Sequence, residues 1–505
     1  MTDVQLVDVS TRDGNQSLWG ATGLATRHLV SIAPVLDRVG FLALDFTSST
    51  HMGIAVRTHK ENPWERIRLM HEATPNTPLQ FIGTGLRFIS WEAQHPDFMQ
   101  LVYDRLVAIG IARFVVLDPM HDVGALLESA RMIKQAGAAV VVAALTYTLS
   151  AVHDDAFYAT LAAQLVKSPH IDRFYIKDPS GLLASERARS LIPAIQKQLG
   201  AKPLELHSHC TIGLASQTYA TAAELGIQVL QVACGPLSNG SSLPDAQRTV
   251  ANLRDLGHTV NIDDRALAIV AGYFRDLAAA ENLPSGTPQD YDASFLRHQT
   301  AGGVMTTTRR QMAELHLEHR FPEVLEEVAR VRADLGYPIM VTPFPQIVFT
   351  QALYNILSKE RYENVSDQII RYVQGNFGRP AGALDPNAKD RILAGHRATE
   401  LANEPPPLPP RELRKRFKPG ISDEEFLLRA TMPQDQVDAM QSAGPAKRHY
   451  NPEAQPLLKL LRELAKRPAT DIVVEKPDFR LELHHENAVE EASAAGAAAT
   501  QPSQP

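Results

Sequence analysis

The most constraining feature of the sequence is an alternation, repeated eight times before residue 290, of a short apolar run with an amphipathic helical segment. Continuous apolar runs are typical of parallel strands buried on both faces, and the intervening helices cover such a sheet. Eight regular units favour a closed (β/α)8 TIM barrel over a doubly wound open sheet. The predicted strands are Val4–Asp8, Phe41–Asp45, Leu79–Thr84, Arg113–Asp118, Ala138–Thr146, Arg173–Asp178, Leu204–His209 and Val229–Cys234.

The region after the barrel has a mostly helical pattern. Residues 286–400 include two amphipathic runs, Met312–Leu335 and Pro345–Leu357, and we expect them to pack over the barrel mouth. The chain therefore divides into a barrel domain (1–290), a helical C-terminal domain that completes the active site (291–467) and a largely disordered tail (468–505). Representative barrel helices are predicted at Thr26–Val39, Pro96–Ile109, Val123–Ala136 and Ser185–Leu199.

Local composition divides the C-terminal part further. Residues 404–410 are rich in proline and predict a stiff linker, and residues 411–467 predict a small, partly basic helical segment. The alternation of apolar and polar residues over 471–483 is typical of an edge strand. Residues 486–505 are rich in Ala, Glu, Gln and Pro, which predicts disorder.

Charge and cysteine usage exclude several classes of protein. The net charge is −7 with both signs well mixed, which argues against nucleic acid as the main partner. The two cysteines imply no disulfide framework and fit a reducing compartment. The N-terminus lacks a secretory signal, and the longest apolar stretch, Ala138–Leu145, is far too short to span a bilayer. We therefore expect a cytoplasmic protein.

Polar residues at the ends of the predicted strands indicate where chemistry occurs, because active sites of this fold lie at the carboxyl ends of the strands. Asp13 follows the first strand, Lys177 lies near the end of the sixth, and His207 and His209 end the seventh. The two histidines share one strand face at i and i+2, so they can converge on one cation. Other strand ends carry residues that also suit caps or turns: Asp8, Arg12, Asp45, Thr84, Arg87, Asp118, His121 and Asp178.

Lys177 has three interpretations from its position alone. It forms an ion pair with Asp13 or Asp178, or it is a desolvated amine that forms a Schiff base with a carbonyl substrate. Alternatively, CO2 has added to it, and the resulting carbamate is an anionic oxygen ligand. In that case Asp13, His207, His209 and modified Lys177 form a set of two nitrogens and two oxygens that suits Zn²⁺ or Mn²⁺.

Several ordered motifs resemble those of the biotin-dependent carboxyltransferases, the family of the carboxyltransferase domain of pyruvate carboxylase, the oxaloacetate decarboxylase α subunit and the transcarboxylase 5S subunit. Lys177–Leu183 resembles the carbamylated-lysine motif of this family, and His207–Gly213 resembles its metal motif. The resemblance covers roughly residues 3–435. Its other matching stretches are Asp8–Ser17, Glu61–Arg68, Gly302–Thr306, Val341–Pro345, Phe377–Gly382 and Asp423–Pro433.

The resemblance implies a mechanism. Carboxybiotin enters the barrel mouth and releases CO2, a metal stabilises the enolate of a 2-oxo acid, and the enolate captures the CO2; the reverse is decarboxylation. By analogy with the family, Thr306 passes a proton between substrate and biotin, and Gln16 contacts the substrate or the CO2. Arg12 either neutralises an anionic oxygen or forms a structural ion pair with Asp8 or Asp45.

This chain departs from the family pattern at three places, one of which is Phe46–Thr50, where the family has Trp-Gly-Gly-Ala-Thr after the second strand. The family has Leu-Leu-Arg-Gly at the third strand end, whereas this chain has Ile82-Gly83-Thr84-Gly85, so a neutral threonine stands where the family has arginine. Arg87, three residues further on, is a candidate substitute, and pyruvate as the acceptor is in doubt. Cys210 replaces the aspartate that follows the second metal histidine, and strand alternation predicts that it packs away from the metal.

Two motifs that the sequence lacks indicate which partner proteins to expect. It has no Met-Lys-Met biotinylation motif and no Gly-rich phosphate loop, so we expect biotin on a separate carrier protein and an ATP-dependent biotin carboxylase as a further subunit. We also expect a homo-oligomer without a membrane span. A metal-dependent C–C lyase or aldolase of the same barrel class, and a non-catalytic assembly subunit, are the alternative functions.

Overall fold

The computed structural model describes residues 2–300, 305, 309, 312–314, 316–464, 471–476 and 479–484. Its centre is a closed barrel of eight parallel strands in which each strand pairs with its neighbours in the sequence, and β8 pairs with β1. The predicted (β/α)8 barrel is therefore confirmed. The strands are β1 (Gln5–Asp8), β2 (Ala43–Ser48), β3 (Leu79–Thr84), β4 (Ile111–Leu117), β5 (Val140–Thr146), β6 (Arg173–Asp178), β7 (Leu204–Ser208) and β8 (Val229–Val232).

An α-helix follows every strand and packs on the outside of the barrel. Several of these helices begin at a side chain that accepts a hydrogen bond from the first turn, as Asn62, Asp122, Asp154 and Asp245 do. The eight helices are Thr26–Leu36, Pro63–Ala73, Pro96–Ala108, Val123–Gln135, Asp155–Leu165, Ser185–Leu199, Ala215–Glu224 and Ala246–Asp255, and a ninth, Asp264–Glu281, packs beside them. Shorter helical turns occupy Ser10–Gly14, Asn15–Trp19, Ser49–Ile54, Ala55–His59 and Gly235–Leu237.

The barrel interior is apolar in its middle and charged towards one end. Arg113 donates to both carboxylate oxygens of Glu205 at 2.6 Å, and Gln80 and Arg173 complete this buried network. Every member lies near the start of its strand, so the network stabilises the end of the barrel away from the strands' carboxyl ends. Above it, strand residues such as Val115, Val142 and Tyr175 form one apolar cluster with Ile339 and Val341 from the helical region.

The helical region has its own core and also contacts the barrel. The predicted run Met312–Leu335 is not one helix, because the long helix starts only at Phe321. Pro322 lies in its first turn, where backbone N–H groups have no partner within the helix, so the missing N–H of proline costs no helical hydrogen bond. The helices are Phe295–His298, Phe321–Asp334, Phe344–Leu357, Asp367–Val373, Pro386–Leu393, His396–Ala402 and Pro410–Leu413, and single turns lie at Glu318–Arg320 and Arg414–Arg416.

The helices Asp423–Thr431 and Gln434–Ala443 belong to the barrel core. Phe426 is fully buried with its ring 5.9 Å from that of Phe98, and the Trp64 indole donates to the Glu424 carbonyl. Contacts divide the chain into two compact units, one ending at Tyr450 and one beginning at Asn451.

The second unit contains the helix Gln455–Leu464 and an antiparallel pair of strands, β9 (Asp471–Lys476) and β10 (Phe479–His484). The predicted single edge strand over 471–483 is thus a two-stranded hairpin. The segment predicted to be disordered, 486–505, lies outside the described residues. Within the described ranges, no helix combines the length and the apolar character needed to cross a bilayer.

Candidate metal centre and active site

Three elements, β6, β7 and the turn after β1, bring the predicted metal ligands together at the carboxyl ends of the strands. Asp13 lies in the helical turn Ser10–Gly14 directly after β1. His207 lies in β7, with His209 just beyond its end, and Lys177 lies in β6 directly opposite His207 in the strand register. Lys177 and His207 alternate with Ile176 and Leu206, as expected for a face of each strand that points into the barrel.

The distances within this cluster are short. Asp13 Oδ2 lies 3.3 Å from His207 Nε2 and 3.6 Å from His209 Nε2, and the two Nε2 atoms are 3.1 Å apart. All three residues are buried, and their ligand atoms lie within 4.8 Å of one another. Two imidazole nitrogens and one carboxylate oxygen at this spacing are a donor set that suits Zn²⁺ or Mn²⁺.

Each imidazole ring is oriented by a hydrogen bond at its Nδ1 atom, on the side away from the cluster. His207 Nδ1 lies 2.7 Å from Gln231 Oε1, and His209 Nδ1 lies 2.6 Å from the main-chain oxygen of Ser241. Both partners accept hydrogen bonds, so each Nδ1 carries the proton and each Nε2 presents a lone pair to the cluster. Burial, together with the nearby Lys177, lowers the pKa of His207 to about 3, so this ring is neutral at pH 7. The residues therefore fit a metal ion in the protonation states that ligation requires.

Lys177 lies among the ligand atoms. Its Nζ is 2.9 Å from His207 Nε2 and 3.4 Å from Asp13 Oδ2. Burial lowers the pKa of Lys177 to about 8, although Asp13 opposes the shift. An unmodified Lys177 would thus bring a positive charge into the cluster, in contact with the Asp13 carboxylate.

Arg12 links the cluster to β2. Its Nη1 donates to Asp13 Oδ2 at 2.7 Å, and its Nε donates to Asp45 Oδ2 at 2.8 Å. Burial alone would raise the pKa of Asp13, but Arg12 and Lys177 hold it well below its ordinary value. Of the ion pairs considered from the sequence, Arg12 forms the one with Asp45, and it also contacts Asp13.

A cavity of about 560 Å³ opens above the cluster. The helical region supplies its far wall through residues such as Met340, Val341 and Phe349. The structure therefore brings most of the predicted site residues to one cavity. Those that line it are Arg12, Asp13, Gln16, Thr84, Arg87, Lys177 and His209.

Three further sequence-based predictions have different outcomes. Thr306 lies outside the described residues, so its role stays a prediction. Cys210 is buried, and among the described residues it is not part of the group that could hold a metal. Asp178 accepts hydrogen bonds from the backbone of Leu182 and Leu183, as expected for a turn former.

Sequence reasoning missed the residues that orient the histidines. Gln231 is a polar residue inside the apolar strand β8, and that interruption was an available signal. Ser241 orients His209 through its main-chain oxygen, a group that every residue carries, so its side-chain identity gives no signal in the sequence.

A comparison with curated proteins decides the family. The chain is 33% identical over 391 residues to a pyruvate carboxylase subunit of Methanocaldococcus jannaschii, which covers 77% of this chain and 68% of that protein. The chain belongs to the pyruvate carboxylase family. This family of biotin-dependent carboxyltransferases is the one that the sequence motifs resemble, so the predictions of the family and of an enzyme are confirmed.

Other comparisons agree with this family. The chain is 28% identical over 464 residues to the 2-oxoglutarate carboxylase large subunit of Hydrogenobacter thermophilus, across 89% of this chain and 70% of that protein. Residues 295–483 match the conserved carboxylase domain PYC_OADA. The carboxyl transferase domain of Rhizobium etli pyruvate carboxylase with pyruvate has the same fold, with a TM-score of 0.80 at 22% identity over 95% of this chain and 83% of that one.

Proposed function

We propose that this chain moves a carboxyl group between carboxybiotin, carried on a separate protein, and a 2-oxo acid acceptor, and that the reaction occurs in the cavity above Asp13, His207 and His209. The main support is the convergence of these three ligands and Lys177 at the barrel mouth, buried and with both imidazoles oriented. A divalent ion held there, Zn²⁺ or Mn²⁺, would polarise the acceptor carbonyl and stabilise negative charge on its oxygen.

Lys177 enters this proposal as a carbamate. A bare ammonium would place Lys177, Arg12 and the metal ion, all cationic, around the single carboxylate of Asp13. Like charges at such distances repel by several kcal/mol for an effective dielectric constant of about 20. Once the ammonium has lost a proton to solvent, the neutral amine attacks CO2 and forms an N–C bond; the adduct loses a second proton to solvent. The resulting carbamate carries an anionic oxygen that would serve as a ligand.

The remaining site residues bind, orient and transfer protons. Arg12, held by Asp45, fixes the orientation of the Asp13 carboxylate, and Gln16 faces the cavity where an acceptor or CO2 would lie. In carboxylation, the acceptor loses a proton from the carbon next to its carbonyl, and this carbon bonds to the CO2 released from the biotin nitrogen. Thr306 is proposed to carry the proton to that nitrogen, so charge and atoms balance.

The wider assembly follows from this chemistry. We propose that a biotin carrier protein and an ATP-dependent biotin carboxylase supply carboxybiotin, that the chain is a cytoplasmic homo-oligomer, and that its domains are a barrel (1–290), a helical C-terminal domain (291–467) and a tail (468–505). The cover matters for the chemistry, because Met340, Val341 and Phe349 close the cavity with apolar surface and limit the water that could protonate the enolate.

The test is transfer of labelled carboxyl from a carboxylated biotin carrier to a panel of 2-oxo acids, measured together with metal content. We expect about one metal ion per wild-type chain, and loss of both metal and transfer in His207→Ala. His396→Ala is the matched control, because this histidine is 85% exposed and lies outside the cavity. Full metal content in His207→Ala, or metal-loaded wild type that transfers no carboxyl group, would overturn the proposal.

A further inference from the structure

The positively charged side chains that line the cavity differ in whether they form ion pairs. Three cationic side chains face it: Arg12, Lys177 and Arg87. Arg12 and Lys177 both contact the Asp13 carboxylate, and Arg12 also pairs with Asp45. In the part of the chain that the structure describes, Arg87 forms no ion pair, although Asp118 lies near it.

Arg87 is nevertheless rigidly held. Its Nε donates to the Trp91 carbonyl at 3.1 Å, its Nη2 donates to the Asn376 carbonyl at 3.1 Å, and its guanidinium lies 5.0 Å from the centre of the Phe377 ring. These contacts leave Nη1 without a hydrogen-bond partner among the described residues. Burial lowers the pKa of Arg87, so a bound anion would offset the cost of keeping this cation out of water.

The turn after β3 sets how far Arg87 lies from the strand end. Gly85 adopts a left-handed conformation with φ of +51°, and Thr84 and Arg87 form an antiparallel bridge. Paired residues in such a bridge have Cα atoms about 5 Å apart. The Cα atom of Arg87 therefore lies roughly 5 Å from that of Thr84, and the neighbouring Asp118, directly after β4, places the guanidinium on the β3–β4 side of the barrel mouth.

His207 and His209 lie on the opposite side of the barrel from this turn. β3 and β7 are four strands apart in a closed barrel of eight, which makes them diametrically opposed. A strand spacing of about 4.8 Å and a tilt of about 36° give such a barrel a backbone diameter of about 15 Å. An acceptor whose carbonyl lies at His209 and Asp13 must extend across the cavity to reach Arg87.

We infer that the acceptor is a 2-oxo dicarboxylic acid whose distal carboxylate binds Arg87 while its 2-oxo end faces Asp13 and His209; this inference rests on the proposed function. An extended chain gains about 1.2 Å per bond, so each added methylene group carries the distal carboxylate further across the cavity towards Arg87. The neutral Thr84 leaves space for the intervening methylene groups, one of which loses the proton and receives the carboxyl group.

The experiment compares three acceptors with the same carboxylated carrier: 2-oxoglutarate, 2-oxopentanoate, which has the same chain length without the distal charge, and pyruvate. We expect kcat/KM for 2-oxoglutarate to exceed that for either monocarboxylate by roughly 10- to 100-fold, as a charged hydrogen bond predicts. Arg87→Met should remove this preference while the slow transfer to 2-oxopentanoate persists, which shows that the variant is folded. Arg87→Lys should retain part of the preference, and Arg131→Met, at an exposed surface position, should retain all of it.

The outcomes separate the two proposals. Equal or better transfer to 2-oxopentanoate or pyruvate by the wild type would overturn the dicarboxylate inference and leave the carboxyltransferase proposal intact. An Arg87→Met variant that loses transfer to all acceptors equally would assign this residue a structural role and overturn the inference as well. Absence of transfer to every 2-oxo acid would overturn the proposed function, and the inference with it.

Discussion

Gln231 offers a test of whether the hydrogen bond that orients His207, a proposed metal ligand, controls metal affinity. Its Oε1 accepts from His207 Nδ1 at 2.7 Å, and its Nε2 has no partner within the described residues. The main-chain oxygen of Gln231, which accepts from Tyr219, is unaffected by changes in the side chain. Gln231→Leu therefore removes one hydrogen bond, the one that holds the imidazole of His207 in orientation.

The expected effect has two parts. Loss of such an outer partner typically weakens metal affinity by about 10- to 100-fold, or about 1.4 to 2.7 kcal/mol. The metal-free protein should also lose about 1 to 3 kcal/mol of stability, because the buried N–H of His207 is left without an acceptor. Competition with a chromogenic chelator measures the first effect, and urea unfolding measures the second.

The control for this experiment is Gln231→Glu, which keeps an acceptor oxygen at the same position and should bind metal more tightly than Gln231→Leu. A leucine variant with wild-type metal affinity would refute the reasoning that this bond orients His207 for ligation.

The other predictions concern packing, acceptor choice and Lys177. Phe426→Ala should lower the free energy of unfolding by about 3 to 5 kcal/mol, because the ring is fully buried. Leu408→Ala, at a position 39% exposed, is the control and should change it little. An unchanged urea midpoint for Phe426→Ala would contradict this prediction. Pyruvate-dependent exchange with carboxybiotin should be weak in the wild type, because the neutral Thr84 cannot pair with the pyruvate carboxylate. Robust exchange would disprove the prediction that pyruvate is a poor acceptor. Borohydride added with substrate should trap no adduct on Lys177, whereas a reduced covalent adduct found by peptide mass spectrometry would establish a Schiff base.

The barrel was predictable from the sequence because its signal is periodic and local. Apolar runs with polar ends mark the strands, and the helix Ser185–Leu199 matches its predicted bounds in full. Asp13, Lys177, His207 and His209 could be grouped because the carboxyl ends of parallel strands meet on one face of a barrel. The convergence of these side chains was therefore predictable from strand positions.

What the sequence did not predict depends on contacts between distant segments. The helix predicted from Met312 begins only at Phe321, with proline in its first turn. The contact of Phe426 with Phe98 joins residues separated by more than 300 positions. The confinement of Arg87 by the carbonyl of Asn376 is equally non-local. Local patterns carry no information on such pairings, which only tertiary packing fixes.

The proposed metal centre is tested most directly by a high-resolution crystal structure of the metal-loaded, active protein grown in the presence of bicarbonate, with anomalous data collected at the absorption edge of the bound metal. We predict one anomalous peak bounded by Asp13, His207 and His209, with density for three additional atoms that extends from Lys177 Nζ to the metal. An unmodified Lys177 amine in an active crystal, or an anomalous peak elsewhere in the chain, would contradict this prediction.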